Sequence, residues 1–181
     1  MNIPNFITLL RIILVPVIVI LLIQGDFRKA LAVFIIASIS DAVDGFLARF
    51  MHQQTVVGAY LDPIADKALL ASTFVTLSIL HVIPSWLAVI VISRDFIILL
   101  GISVLFIMSV SVEIRPALVS KVTTVLQAVT VFLALFIRCL PNGIDHQWLN
   151  ILYWGTAIFT IVSGLHYMFR GFRLINHDVK K

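Results

Sequence analysis

A chain of 181 residues that is 61% hydrophobic and only 12% charged carries about half the charge of an ordinary soluble domain, which excludes a water-soluble globule and predicts an integral membrane protein. The net charge of +4 comes without any basic run interleaved with aromatics, so nucleic acid is not an expected partner. The single cysteine, Cys139, rules out an internal disulfide.

A spanning helix needs roughly 20 mainly apolar residues, so the length accommodates six spans with short loops and no soluble domain beside them. The expected fold is all-α: a polytopic membrane protein, a six-transmembrane-helix bundle forming a single domain over residues 1–181. The first apolar run, residues 6–24, follows a polar start whose Pro4 suits a helix's first turn. It lacks a basic leader, Arg11 and Pro16 interrupt it, and no Ala-x-Ala site follows, so it is expected to remain as the first helix. Gln24 to Lys29 is a polar break. The second run goes from about Ala30 into a polar stretch at Asp41–Arg49, and Phe50–Gly58 reads as a short connection. The third run covers about Tyr60–Leu80, with a turn at His81–Ser85 containing Pro84. Trp86 to about Val110 makes the fourth, the fifth runs from near Lys121 to near Ile137, and the sixth covers about Trp148–Phe169, leaving Arg170–Lys181 as a basic tail.

Six spans place both termini on one side. That side holds Arg49, Lys67, Arg115, Lys121, Arg170, Arg173, Lys180 and Lys181, against Arg28, Lys29 and Arg138 on the other. The positive-inside tendency therefore puts both termini and the polar stretch in the cytoplasm, in a bacterial-type inner membrane. Trp86 and Trp148 then begin spans at the outer interface, where indole rings favour the headgroup level.

Of the nine acidic residues, four stand at Asp41, Asp44, Asp62 and Asp66. Carboxylates at bilayer depth are costly unless paired or metal-bound, which makes them functional candidates. On helices, positions three and four apart share a face. Asp41, Asp44, Gly45 and Ala48 project from one side of the second span, and Gly58, Asp62 and Asp66 from one side of the third. Two antiparallel helices with a short connection are neighbours, so four oxygen ligands can converge at the cytoplasmic surface. Hard oxygen donors suit Mg²⁺ or Mn²⁺, and the lack of a Cys/His cluster speaks against zinc. Arg49 could reach a phosphate with its fork of donors. Two metal ions between diphosphate oxygens and a nucleophile can run phosphoryl transfer. The structural alternative is a buried ionic network with Arg49, Lys67 and Arg94, but buried pairs stabilise poorly and the carboxylates outnumber the nearby cations.

The pattern Asp41-x2-Asp44-Gly45-x2-Ala48-Arg49-x8-Gly58-x3-Asp62-x3-Asp66 resembles the signature of the CDP-alcohol phosphotransferases, matching at all eight fixed positions, and the likeness extends to the six-helix layout. The resemblance implies metal-dependent transfer of a phosphatidyl group from CDP-diacylglycerol to an alcohol, with release of CMP. It makes Asp41, Asp44 and Asp62 metal ligands for two ions, with Asp66 completing the metal site and acting as general base. It also gives Asp41, Gly45, Ala48, Arg49 and Gly58 the CDP pocket.

Asn2, Pro4, Asn5, Thr8 and Arg11 look like the N-terminal segment of the phosphatidylglycerophosphate synthases and the related cardiolipin synthases. Pro116–Lys121, with Thr123 and Gln127 following, is similar to the start of their fifth helix. That likeness makes Asn5, Thr8, Arg11, Arg94, Arg115 and Lys121 candidate contacts for the acceptor. Capping for Asn5 and Thr8, snorkelling for Lys121 and structural pairing for Arg94 are the bland alternatives. Arg94 and Asp95 are adjacent on a helix, so a simple mutual pair is not expected. Phosphatidylglycerophosphate synthases carry Arg-Glu in the fourth helix with another arginine soon after; this chain has Arg94-Asp95 and no further arginine before Arg115.

His52, His81, His146 and His177 fall in expected loops or the tail, and His166 is expected as a hydrogen-bonded core residue. Gly155 and Gly164 predict close helix packing, within one chain or in a homodimer. The leading expectation is CDP-diacylglycerol with sn-glycerol 3-phosphate as acceptor, giving phosphatidylglycerophosphate. The rival acceptor is phosphatidylglycerol, which would make the chain a cardiolipin synthase. A cation or solute transporter is the rival from another class, but it would be expected to spread charge through the bilayer depth or repeat one half of itself.

Overall fold

The computed structural model describes the backbone of residues 3–51, 56–107, 118–140 and 147–178, and side chains within 10–40, 65, 67–101, 119–140 and 148–169. Among these residues it holds six helices and no strand: α1 Ile3–Ile23, α2 Phe27–Met51, α3 Val56–Ile79, α4 Ser85–Ile107, α5 Leu118–Cys139 and α6 Gln147–Asp178. Each apolar run thus becomes one helix. The helices α1, α2 and α5 each begin three residues earlier than expected, at Ile3, Phe27 and Leu118, and two other boundaries differ more. α3 begins before Gly58, so that glycine is helical and not the end of a connection. α6 continues through Asp178, because the change from apolar to basic at Arg170 alters the surroundings a helix suits without removing its helix formers.

Local chemistry explains the stops. α1 ends where Gly25 takes φ +79°, the left-handed conformation that glycine adopts without steric cost. The Asp26 N–H then donates to the Leu21 carbonyl and the Gly25 N–H to that of Leu22, both at 3.0 Å, which is a Schellman closure. The Asp26 carbonyl next accepts from the Ala30 N–H, opening α2. α3 closes the same way, with Val82 donating to Leu77 and His81 to Ser78. There the left-handed position, φ 55°, is occupied by His81 and not by glycine.

The helices group into two compact units. The first comprises Met1–Ser85 with Val131–His146, and within it α1 packs against both α2 and α3. Its buried side chains form stripes at three- and four-residue spacing: Ile18 and Leu22 on α1, Ala30, Phe34 and Ala37 on α2, Ala65, Leu69, Thr73 and Leu77 on α3. The second unit comprises Trp86–Thr130 with Gln147–Lys181. Its α4 stripe is Leu87, Val91, Arg94 and Ile98.

Polarity runs opposite to that of a soluble domain. Ile13, Ile20, Ile36, Ile39, Val89, Phe96, Val125, Trp148, Ile151, Trp154 and Phe169 face outward, whereas Arg11, Arg94, Gln127 and seven threonine or serine residues are buried. Monomeric soluble proteins rarely expose contiguous apolar surface on that scale. Val119–Cys139 and Trp148–Phe169 are long and apolar enough to cross a membrane; Leu10–Ile23 and Lys67–Ile79 are shorter apolar stretches among the described residues.

Candidate active site

α2 is one unbroken helix through Asp41–Arg49, and α3 is unbroken through Gly58, Asp62 and Asp66. The side chains of these eight residues lie outside the described set, as do those of Asn5 and Thr8; Arg115 lies outside it altogether. Helical register nevertheless connects the motif to packing that is described. Steps of four and three from Ala30, Phe34 and Ala37, all buried, arrive at Asp41, Asp44 and Ala48. On α3, stepping back from Leu69 and Thr73 arrives at Asp66, Asp62 and Gly58. By helical register these positions fall in line with the buried stripes of α2 and α3, two helices of one unit that each pack against α1.

Of the six candidate acceptor contacts, three have described side chains. Arg11 is buried on α1, 1% exposed, and is engaged by neighbouring groups. Lys121 is exposed in the first turn of α5. Arg94 is 5% exposed on α4.

The surroundings of Arg94 correct one expectation. Its Nη1 donates to Asp95 Oδ1 at 2.6 Å, so the adjacent residues do pair. Their Cβ atoms diverge by about 100° around the helix. The long arginine side chain curls back across that angle, and the short Asp95, 14% exposed at its side chain, waits beside it. Nη2 donates to Ser120 Oγ of α5 at 2.7 Å and to Ser163 Oγ of α6 at 2.9 Å. Gly164 supplies the room: a Cβ there would lie 3.4 Å from Arg94 Cγ. Gly155, in contrast, has open space beside it and makes no close approach among the described residues. His166 is exposed on α6, edge-on to Tyr167 with ring centroids 6.5 Å apart; it is not a core residue, because it stands two positions, about 200° around the helix, beyond Gly164 on the buried line Tyr153, Ala157, Thr160 and Gly164.

From the Arg94 end a polar seam runs along α5 and α6. Thr123 Oγ1 donates to the Phe159 carbonyl at 3.3 Å, Gln127 Nε2 to Thr160 Oγ1 at 3.4 Å, and the Thr130 and Thr156 hydroxyls meet at 2.7 Å. Such side-chain bonds join helices where apolar surroundings offer no hydrophobic drive. The sequence reading missed the seam and the serine partners of Arg94. The signal was present as hydroxyl or amide residues at 120, 123, 127 and 130 facing 156, 160 and 163 at helical spacing.

Comparison with known proteins settles the family. The family model described as CDP-alcohol phosphatidyltransferase matches residues 1–162, a span that contains the whole Asp41–Asp66 motif. The chain belongs to the CDP-alcohol phosphatidyltransferase family. It is 33% identical to the probable cardiolipin synthase (CMP-forming) of Drosophila melanogaster, over 93% of this chain and 57% of that protein. It is 32% identical to the human cardiolipin synthase (CMP-forming), over 94% of this chain and 62% of that protein. The CDP-diacylglycerol–glycerol-3-phosphate 3-phosphatidyltransferase of Bacillus subtilis is also 32% identical, over 92% of this chain and 93% of the bacterial protein. The chain thus spans about six-tenths of the animal cardiolipin synthases and nearly all of the bacterial relative. A CDP-alcohol phosphatidyltransferase with this layout carries its signature on two consecutive helices, α2 and α3, of one compact unit.

Proposed function

We propose that the protein transfers a phosphatidyl group from CDP-diacylglycerol to sn-glycerol 3-phosphate, yielding phosphatidylglycerophosphate and CMP. The observation that carries the reading is the placement of all eight signature positions on α2 and α3, six of them (Asp41, Asp44, Ala48, Gly58, Asp62 and Asp66) in helical register with the buried stripes of those helices. The Bacillus subtilis relative, matched over nearly its full length, bears the name of that activity. The molecule is read as one membrane domain of six spans, with the signature and both termini at the cytoplasmic face of the inner membrane.

Asp41, Asp44, Asp62 and Asp66 form an all-oxygen donor set, which fits Mg²⁺ or Mn²⁺. They would hold two such ions, whose charge would stabilise the diphosphate as it separates. Gly45, Ala48 and Gly58 offer small surfaces for the CDP group, and Arg49 a fork for its phosphate. Asp66 accepts the proton of the acceptor hydroxyl. That oxygen attacks the phosphorus bonded to the lipid, a new O–P bond forms in line, and the bond to CMP breaks. Asn5, Thr8, Arg11, Arg115 and Lys121 are the proposed contacts to the acceptor.

Cardiolipin synthesis is the second reading, with phosphatidylglycerol as acceptor. It is favoured by the animal relatives and by Arg94-Asp95 standing where Arg-Glu is expected of the first group. Purified protein with CDP-diacylglycerol and each acceptor in turn separates the two. CMP release with glycerol 3-phosphate, lost on chelation and restored by Mg²⁺ or Mn²⁺, is the expected result. Turnover with phosphatidylglycerol alone transfers the assignment to the second reading, and full activity under chelation removes the metals from both.

A further inference from the structure

Arg94 was a candidate anion binder, and its described contacts argue for another role. A guanidinium binds a phosphate through two parallel N–H groups on one edge. Here Nη2, shared by both two-nitrogen edges, gives its N–H groups to Ser120 and Ser163, while Nη1 donates to Asp95. The positive charge is met by a carboxylate 2.6 Å away. Each partner comes from a different place in the second unit: Asp95 from α4 itself, Ser120 from the first turn of α5, Ser163 from α6. The arginine stem lies over Gly164, the one described helical glycine with a side chain in contact range.

We propose that Arg94 is a positioning residue: a charge-neutralised clamp that fixes the start of α5 between α4 and α6, and with it the backbone carrying Lys121, the neighbour of Ser120 and an acceptor contact in the proposed function. The role of Lys121 rests on the proposed function; the clamp itself does not. Ser120 is the link. It is held through Oγ by Arg94, and its carbonyl accepts from Thr124 Oγ1 at 3.1 Å, so its backbone and side chain are both anchored. Lys121, one step around the helix, is left exposed.

Asp95→Asn distinguishes a clamp from a binder. If Arg94 bound the acceptor phosphate, removing the competing carboxylate would lower the KM for glycerol 3-phosphate. For a clamp the same change loosens Arg94 and raises that KM. Full-length protein reconstituted in phosphatidylglycerol-free vesicles is assayed for CMP release as Asp95→Asn, Ser163→Ala, Lys121→Ala and the double variants of each with Lys121→Ala. The expected outcome is a three- to ten-fold rise in acceptor KM for Asp95→Asn and Ser163→Ala, with the KM for CDP-diacylglycerol unchanged. In the Lys121→Ala background neither change adds to the effect. A lowered KM in Asp95→Asn, or effects that multiply independently with Lys121→Ala, overturns the proposal.

A substrate-free arm tests the clamp alone. Asp95→Asn and Ser163→Ala each lower the thermal midpoint in wild-type protein and leave it unchanged in an Arg94→Met background. Additive shifts overturn the clamp. A protein that shows this non-additivity but releases no CMP with any acceptor keeps the clamp and overturns both the function and the role of Lys121.

Discussion

Asp66 is the residue on which the proposed chemistry turns, since a phosphorus centre can be attacked only as the acceptor hydroxyl gives up its proton. Asparagine keeps the shape and oxygen of the side chain but cannot take that proton. A positioned general base contributes typically about 10²–10⁴-fold, so Asp66→Asn should lower kcat for CMP release by about that factor while circular dichroism and thermal midpoint stay near wild type. Retention of full activity would remove Asp66 as the base. The motif around it was legible because its chemistry is written in residue type and spacing, and helical spacing survives any detail of packing. The Arg94–Asp95 pair was not legible. Two residues 100° apart on a helix pair or not according to the path of a long flexible side chain, and that path is set by Ser120 and Ser163, 26 and 69 residues away in the chain.

Among the elements, the apolar runs located all six helices because a break in hydropathy and a helix stop coincide where turn residues cluster. Gly25 announced its turn; the end of α3 was harder, because its left-handed residue is His81. A non-glycine residue in that conformation costs roughly 1–2 kcal/mol, part of which glycine would return as extra freedom in the unfolded chain. His81→Gly should therefore stabilise the first unit by about 0.5–1 kcal/mol, whereas a β-branched His81→Val should destabilise it by about 1 kcal/mol or more. Reversible unfolding in mixed detergent compares the two. Equal stability of both variants would show that the left-handed turn is not held in solution. The α5–α6 seam was missed for a different reason. Threonine is common on any helix, and only its opposite number at Thr156 or Thr160 turns Thr130 or Gln127 into a contact.

At the scale of the molecule, one distribution governs the rest: among the described residues, Arg11 and Arg94 are buried while many large apolar side chains face outward. If the six expected spans form, lysine and arginine stand eight to three in favour of one side, and in the proposed function CDP-linked lipid and a water-soluble acceptor would meet at the face where the signature lies. The prediction is tested in a Cys139→Ser background, which removes the only native thiol. Single cysteines are placed at His52, between α2 and α3, and at Ser85, which is exposed at the start of α4. A membrane-impermeant maleimide applied to intact cells should label Ser85→Cys at once, and His52→Cys only after permeabilisation. The reverse pattern would turn the molecule over and strand the signature away from the proposed nucleotide substrate. Labelling of both from outside would show that α3 does not cross the membrane, and the six-span layout would fail with it. The expected pattern follows from α3 itself: Lys67–Ile79 is an apolar stretch with no charge after its first residue, while Asp62 and Asp66 lie in the turns just before it. One end of this helix suits hydrocarbon, and the other suits an aqueous boundary where the ions and nucleotide of the proposed function could reach the carboxylates.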